Sequence, residues 1–322
     1  RFSLWSAIGL SLALAIGSRI KHERTTRHWT LDLLAENAGI SRRALVNLEQ
    51  GAANPSVGTL LRVSDALGIG LGTDPMNEAE LRFVYEKNLC VLPTYPVVLG
   101  YPGLWIKDPG TGVDWTKLVH GEQGLRIHRL PEAAGEVIGR TRVTGVIDKG
   151  EGRGALVLTE RKITDAASGE LLCTLTSTTF CRADGGFGGP ASSAPVIHVL
   201  PERTPDVTLD RPTDLRAALI YRLSGDYNPL HAEPAMAKTA GFERPILHGL
   251  CTFGIAGHAL TNTVCDNDPM RLIAMNVRFT SPVYPGETIR TEMWVDHNIV
   301  SFRARVVERD VVVLNNGRAE IQ

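Results

Sequence analysis

The last third of the chain alternates between one long apolar segment and several shorter runs of strand length. The apolar run from Cys251 to Val264 predicts a buried helix, and a shorter helical segment over Leu215–Leu223 precedes it. Runs that are partly β-branched and bounded by turn residues follow this helix. They predict strands at Leu272–Phe279, Thr288–Asp296, Ile299–Glu308 and Val311–Asn315.

The middle of the chain repeats this plan in part. From residue 92 onward it is rich in strand-forming residues, and Gly, Pro and Asp turns separate runs at Val137–Asp148, Gly154–Asp165 and Leu171–Arg182. The Gly-rich segment Asp184–Gly189 follows. It lacks the Gly-Lys-[Ser/Thr] ending of a phosphate-binding loop, and no βαβ unit surrounds it, so we predict a tight connection between two blocks.

The first 70 residues predict short helices separated by turns. Thr30 is placed to cap a helix that starts at Leu31, and Ser41 is placed to cap a second helix over Arg42–Gln50. A further helix is predicted over Val57–Leu67. Helix, turn and helix in this order resemble the helix-turn-helix of regulators of the phage-repressor type.

In such a domain the second helix of the motif enters the DNA major groove. The resemblance implies that five residues face phosphates or base edges: Ser41, Arg42, Arg43, Asn47 and Gln50. Eight basic and five acidic residues among the first 70 give a balance of +3, which is a weak electrostatic footprint for nucleic acid. The alternative is a helical module that docks on its neighbour.

Composition narrows the class of protein. A hydrophobic fraction of 43%, a charged fraction of 21% and a net charge of -1 are ordinary for a globular chain, and they argue against a strongly electrostatic partner for the whole molecule. The five cysteines show no metal-ligand spacing, so we expect reduced thiols and a cytoplasmic protein. The apolar segment Phe2–Gly17 favours a packing helix over an export signal, and no membrane association is expected.

The segment from Tyr221 to His231 carries the most informative chemistry. Asp226 and His231 are five residues apart and flank the turn-forming pair Asn228-Pro229, so both side chains can reach a single water. A helix that begins near Gly249 offers unpaired backbone N–H groups and a positive dipole end. This combination suits the addition or removal of water next to a carbonyl.

The run GDYNPLHAEPAMAKTAGFERPILHGLCTFG, which begins at Gly225, closely resembles the signature of MaoC-like, or type 2, enoyl-CoA hydratases. The resemblance covers residues 66–322 and implies an α+β double hot-dog: two antiparallel sheets, each wrapped on a central helix. A small all-α helix-turn-helix module would precede it. We divide the chain into an apolar segment (1–17), the helix-turn-helix-like region (18–70), a non-catalytic hot-dog (71–190), a linker (191–210) and a catalytic hot-dog (211–322).

The resemblance also assigns roles to residues. Asp226 and His231 match the catalytic dyad and Gly249 the oxyanion donor, while Asn228, in the same catalytic loop, more naturally orients it together with Tyr227 than reacts. His248 is expected to hold the helix entry. Positions that match acyl-CoA contacts are His120, Gly121, Lys149 and Phe279. For two of them a plainer alternative stays open, because Lys149 could be a solvated turn residue and Phe279 could be core.

The implied activity is (3R)-specific hydration of trans-2-enoyl-CoA with fatty or bulky acyl chains, or the reverse dehydration of 3-hydroxyacyl thioesters of the steroid or polyketide kind. No metal or other cofactor is expected, the substrate is an acyl-CoA, and the family implies a homodimer. The first repeat lacks the motif, so by resemblance it shapes a tunnel for the acyl chain. The alternative function is an acyl-CoA-responsive DNA-binding transcriptional regulator.

The seam between the two modules is unusual. Residues Ala66–Gly72 resemble the end of a helix in type 2 hydratases, and they also finish the helix-turn-helix-like region. The helix predicted over Val57–Leu67 is therefore claimed by both modules. Either the helix is shared or one module is incomplete.

Overall fold

A computed structural model describes residues 68–72, 74, 76–85, 89–189 and 196–322, together with positions 21, 24–25, 30–33, 42 and 46. The chain divides into two compact units, residues 1–60 and residues 61–322. The predicted segment 1–17, the helix over 57–67 and the residues Ser41, Arg43, Asn47 and Gln50 lie outside the described positions. Within the described part of the first unit, the Thr30 hydroxyl accepts a hydrogen bond from the Leu33 N–H at 3.1 Å, as a capping residue does.

The second unit is built on nine strands. They are β1 Leu118–Ile127, β2 Val137–Asp148, β3 Ala155–Asp165, β4 Leu171–Cys181, β5 Val207–Pro212, β6 Leu272–Phe279, β7 Thr288–Asp296, β8 Ile299–Val306 and β9 Val311–Ile321. Four α-helices are described in this unit: α1 Glu78–Leu81, α2 Ala217–Tyr221, α3 Pro234–Thr239 and α4 Gly249–Thr263. None of these helices is long and apolar enough to cross a bilayer.

All nine strands join one antiparallel sheet in the order β2-β3-β4-β1-β6-β9-β8-β7-β5. The four strands of the first half and the five of the second meet at β1 and β6, where Gln123 pairs with Val277 and Leu125 with Met275. The pairing of β1 with β6 therefore turns two sheets of the expected double hot-dog into one continuous surface.

Helix α4 lies at the centre of the second half. Its residues from Cys251 to Thr261 are all buried, because an apolar surface on every side of a helix is stable only when other elements cover it. The helix packs against β5, β6 and β7. The predicted helix and all four predicted strands of this half are present, and β9 extends further than expected, to Ile321.

The first half has strands of the same kind but a different covering. Its predicted strands correspond to β2, β3 and β4. Among the described residues of this half the sheet is accompanied by 3₁₀ turns at Tyr95–Val98, Trp105–Lys107, Pro109–Thr111 and Trp115–Lys117 rather than by a helix as long as α4. Two strands, β1 and β5, were not predicted.

The Gly-rich segment after β4 is fixed by a carboxylate of the protein itself. Asp148 accepts hydrogen bonds from the N–H groups of Gly150, Gly186 and Gly188 at 2.7, 2.8 and 2.7 Å. These hydrogen bonds lower the pKa of Asp148. Backbone N–H groups that could have formed an anion site therefore bind an internal anion, in keeping with a connection between the halves rather than a phosphate loop.

Candidate active site

The motif loop runs between 3₁₀ turns at Arg222–Ser224 and Pro229–His231. Gly225 joins them with a φ of 114°, a conformation that side chains strain and glycine adopts freely. The Asp226 carboxylate accepts a hydrogen bond from the Asn228 N–H at 3.1 Å. The side-chain oxygen of Asn228 in turn accepts from the N–H two residues further on, also at 3.1 Å. Asn228 thus caps the second turn and orients the loop that carries Asp226.

His231 is buried with one ring nitrogen fixed. Its Nδ1 lies 2.9 Å from the Ile246 carbonyl oxygen, and because a carbonyl only accepts, Nδ1 must carry the hydrogen. Nε2 then has a free lone pair. Burial lowers the pKa of His231, while the charge of Asp226 and the bond to Ile246 oppose that shift. The imidazole is therefore neutral near pH 7 and can accept a proton at Nε2.

His248 stacks on His231, with ring centroids 3.7 Å apart and planes inclined by 24°. Its Nε2 lies 3.2 Å from the backbone oxygen of Asp226, and its Nδ1 is buried with no hydrogen-bond partner among the described residues. Burial, followed by the neighbouring His231, lowers the pKa of His248 to about 2. His248 thus stays neutral and braces both members of the predicted dyad, which fits the holding role expected for it.

Asp226, His231 and His248 also form a group with ligand atoms within 4.8 Å of one another, close enough to suggest a metal site. A metal bound to an imidazole lies in the plane of the ring, about 2.0–2.1 Å from the nitrogen. Two stacked rings with planes inclined by 24° share no such point between them. The three residues therefore do not fit a single ion, and the arrangement suits proton transfer instead.

Helix α4 begins directly beside this group. His248 occupies the N-cap position and Gly249 is the first helical residue, so the first N–H groups of the helix have no acceptor within it. A Cβ at Gly249 would lie 3.2 Å from a ring carbon of Phe279. Glycine therefore lets the start of α4 approach the Phe279 ring without a tight contact.

The first half of the sheet contributes His120 to the same region. The His120 ring lies 4.7 Å from the Phe279 ring, centroid to centroid, and its Nε2 is 3.0 Å from the Ser177 hydroxyl oxygen. Burial lowers the pKa of His120 to about 4. Gly121 lies at a register shift of β1 against β4, next to His120. Contacts thus connect the predicted acyl-CoA residues His120 and Phe279 to Gly249, and Gly121 adjoins His120 along β1.

Two further predicted binding residues make local contacts of their own. Lys149 is in the turn between β2 and β3, where its Nζ is 5.0 Å from the centroid of the Phe180 ring. Arg42, predicted to face DNA, pairs with Asp32 at 3.1 Å on an exposed surface of the first unit. Neither observation assigns a ligand to these side chains.

Residues that sequence reasoning missed complete the site. Burial and then the charge of Asp226 raise the pKa of Tyr101, which places this tyrosine in the field of the carboxylate. Arg161 lies beside Tyr101, with its guanidinium carbon 5.5 Å from the ring centroid. The sequence could have indicated Arg161, because alternation along the predicted strand over residues 154–165 places it on the same face as Val157 and Ile163.

Comparison with known proteins identifies the family. The MaoC like domain matches residues 197–317, and the MFE-2 hydratase 2 N-terminal domain matches residues 64–183. The peroxisomal enoyl-CoA hydratase 2 of Arabidopsis thaliana is 39% identical over 265 residues, which cover 77% of this chain and 85% of that protein. The chain belongs to the MaoC-like dehydratase family.

Other MaoC-like relatives agree. The peroxisomal multifunctional enzyme type 2 of Mus musculus is 37% identical over 261 residues, which cover 79% of this chain but 35% of that longer protein. The crystal structure of a MaoC-like dehydratase from Phytophthora capsici superposes with a TM-score of 0.72 at 35% identity, covering 82% of this chain and 92% of that one. The MaoC-like double hot-dog expected from the resemblance is confirmed.

The N-terminal resemblance is confirmed as well. A helix-turn-helix family matches residues 20–73. This match overlaps that of the MFE-2 hydratase 2 N-terminal domain over residues 64–73. The overlap between the two modules that the sequence indicates is therefore present in the two family matches as well. Both matches include the segment that leads into the MaoC-like part of the chain.

Proposed function

We propose that the protein adds water to trans-2-enoyl-CoA thioesters to form (3R)-3-hydroxyacyl-CoA, and catalyses the reverse dehydration. The observation that carries this proposal is the fixed tautomer of His231, whose Nε2 lone pair shares a loop with the half-buried Asp226 carboxylate. Names of the relatives support it, since they include enoyl-CoA hydratase 2 and 3-hydroxyacyl-thioester dehydratase Y. The enzyme would then be a carbon–oxygen lyase.

In this mechanism one water binds between the Asp226 carboxylate and His231 Nε2. As the water oxygen bonds to C3 of the enoyl group, a proton passes from the water to the Asp226/His231 pair. The pair returns one proton to C2. The hydroxyl and the hydrogen of one water are thus both added to the substrate, and the pair ends in its starting protonation state.

The thioester oxygen gains negative charge as C3 is attacked, so it needs donors that are already in place. The first N–H groups of α4, at Gly249, are placed to supply them together with the positive end of the helix dipole. One such donor lowers a reaction barrier by roughly 3–4 kcal/mol. No residue of the proposed pathway requires a metal or a redox cofactor.

The proposal is tested with crotonyl-CoA and a longer trans-2-enoyl-CoA. We expect loss of the enoyl-thioester absorbance and, by chiral analysis, a product of 3R configuration. Binding of the thioester without turnover, or a 3S product, would contradict the assignment of Asp226 and His231 as the reacting pair.

We further propose that residues 20–73 bind DNA, because the helix-turn-helix family matches this region. The proposal is tested by a gel-shift assay on genomic fragments at increasing salt, with and without an acyl-CoA. Salt-dependent retardation would support a regulatory role for this region. If adding the protein changes the mobility of no fragment at low salt, the proposal is contradicted.

Homodimerisation and a cytoplasmic location stay predictions from the sequence, and a role in β-oxidation is proposed together with the hydratase activity. Light scattering of the purified chain would decide the first, since a mass of twice the 35.0 kDa chain is expected. A mass equal to one chain at micromolar concentration would contradict it.

A further inference from the structure

Arg161 of the first half is a cation in a row that is otherwise uncharged from Ala155 to Ile163. Strand β3 alternates, so that Ala155, Val157 and Ile163, which are 2, 6 and 0% exposed, share one face of the sheet with Arg161. In the register of β3 and β4, Arg161 lies opposite the buried Leu175. A charge in such a row is costly unless a partner compensates it, and it therefore requires an explanation.

The partners of Arg161 fix its position without neutralising its charge. Its Nη1 donates to the Leu99 carbonyl at 2.7 Å and lies 3.5 Å from that of Val97. Its Nε is buried with no hydrogen-bond partner, and no carboxylate lies within ion-pair distance, among the residues that the structure describes. Burial lowers the pKa of Arg161 to about 10. The guanidinium is thus held in place, still charged, with one N–H unsatisfied.

This cation borders the candidate active site. Its guanidinium carbon is 5.5 Å from the Tyr101 ring, and Tyr101 is 45% exposed, so solvent-borne ligands reach the pair. Thr159 is two residues from Arg161 on the same face of β3, which is about 7 Å along the strand. Ser177 of β4 lies opposite Thr159. Ser177 contacts His120, which packs on Phe279 next to the start of α4. The charges of Arg161 and Asp226 both act on the pKa of His120 and of Tyr101, so the guanidinium lies near the reacting groups.

We propose that Arg161 and Tyr101 form a polar subsite that binds a carboxylate or carbonyl oxygen on the acyl chain of the substrate, away from the thioester. This inference rests on the proposed function, because it assumes an acyl thioester at Asp226 and His231. A plain hydrocarbon chain beside Tyr101 would remove water from the half-buried Arg161 charge without compensating it, which costs binding energy. An oxygen on the chain would compensate the charge. The preferred substrates are therefore enoyl thioesters with a second oxygen function.

The test compares matched substrates: crotonyl-CoA, a series of longer trans-2-enoyl-CoA thioesters, and the same series ending in a carboxylate or carrying a carbonyl near the end. Each kcat/KM is divided by that for crotonyl-CoA in the same variant. For the natural protein we expect at least one chain length at which oxygenated substrates exceed the plain chain by about ten-fold or more. The two oxygenated arms distinguish a carboxylate ligand from a carbonyl.

Arg161→Met should abolish this preference, and Arg161→Lys should restore part of it for the carboxylate series. Lys162→Met is the matched control, because it removes a cation from the opposite, exposed face of the same strand and should leave the preference intact.

Two results would overturn the subsite: no preference in the natural protein at any length, or an Arg161→Met variant that loses activity on every substrate by one common factor. The second result would mean that Arg161 only holds the Leu99 carbonyl. Failure of the natural protein to hydrate crotonyl-CoA would instead overturn the proposed function, so the two failures are distinguishable.

Discussion

The first half of the sheet contains β1 to β4, and the second contains β5 to β9 around the buried helix α4. The core-facing positions of the second half are mostly filled by apolar side chains such as Met275, Phe302 and Leu314, each fully buried. The corresponding face of the first half carries Gln123, Ser177 and Arg161 among its aliphatic residues.

This difference teaches how one repeat of a duplicated fold can change its use. Where the helix covers the sheet, a buried charge has no water and needs a partner within the protein, as Arg211 and His258 have in Glu80. Where the described covering consists of short turns, polar side chains remain on the face of the sheet. The first half has no Asp/His motif, yet it borders the reacting groups through His120 and Tyr101.

The largest expected effect comes from removing the carboxylate charge of Asp226 in the second half. Asp226→Asn removes the carboxylate charge but keeps an oxygen to accept from the Asn228 N–H, so the loop should fold normally. We expect kcat for crotonyl-CoA to fall about 10²–10⁴-fold, the usual contribution of a positioned proton-transfer group. Asp296→Asn, on the exposed end of β7, is the control and should keep full activity. Comparable rates for both variants would remove Asp226 from the mechanism.

The next effect concerns the contact between Glu80 of α1, whose side chain is 1% exposed, and the second half. Glu80 accepts from Arg211 of β5 at 2.7 Å and lies 3.2 Å from Nε2 of His258 on α4. Arg211→Met would leave a buried carboxylate without its cation, and we expect it to lower the free energy of unfolding by roughly 3–5 kcal/mol. Chemical denaturation measures this. Arg290→Met, which breaks an exposed pair with Asp210, should change little.

The same carboxylate predicts a pH dependence. Burial alone raises the pKa of Glu80, but the bonds and charges of His258 and Arg211 outweigh it and lower the pKa to about 2. Because the folded pKa is below the unfolded value of 4.5, the stabilisation is complete above pH 4.5 and is lost as the pH falls towards 2. Glu80→Gln should flatten the stability curve in this window, and an unchanged slope would contradict the assignment.

A smaller effect tests the close approach at the start of α4. Gly249→Ala places a Cβ 3.2 Å from Phe279, which must shift by a few tenths of an ångström or displace the N–H. We expect kcat to fall about ten-fold, because small displacements of a positioned group are costly to catalysis. Adding Phe279→Leu should recover part of the loss, a coupling that a double-mutant cycle measures. Strict additivity of the two changes would show that this contact does not limit the rate.

The smallest expected effect concerns the pH dependence that His231 gives to the reaction. Burial holds its pKa below the ordinary 6.5, and the neutral form is the one that accepts a proton. The plateau of kcat/KM should therefore extend below pH 6.5 and decline only at lower pH. An acid limb centred at or above 6.5 would mean that His231 is not the group that titrates.

Much of the second half could be predicted because its signals are local. The apolar run after Gly249 predicted α4, and the turn residues around Asn228 predicted the loop that carries Asp226. The stacking of His231 on His248 could not be predicted, since it depends on where the loop and helix start meet in space.

Strand β1 was missed for a different reason. Its sequence LVHGEQGLRI does not alternate, and it contains Gly124 at a point where a Cβ would lie 2.3 Å from the Thr176 hydroxyl oxygen and 2.5 Å from the Asn276 side-chain oxygen. Its strand conformation is therefore imposed by neighbours on both sides rather than by its own propensity. The position of Arg161 on a face was readable from alternation, but its lack of an anion required the packed structure.

The pairing of β1 with β6 determines how many strand edges of the sheet are left unpaired. Two separate sheets would have four free edges, whereas the continuous sheet has two, at β2 and β5. A cut between Cys181 and Val207 would therefore leave the fragments held by the backbone bonds of Glu122–Arg126 and by the ion pair of Arg278 with Glu122 at 2.6 Å. Fragments produced apart would each expose a new unpaired strand edge, at β1 in one and at β6 in the other. Such an edge is a template for aggregation, so the fragments should remain dispersed only when produced together.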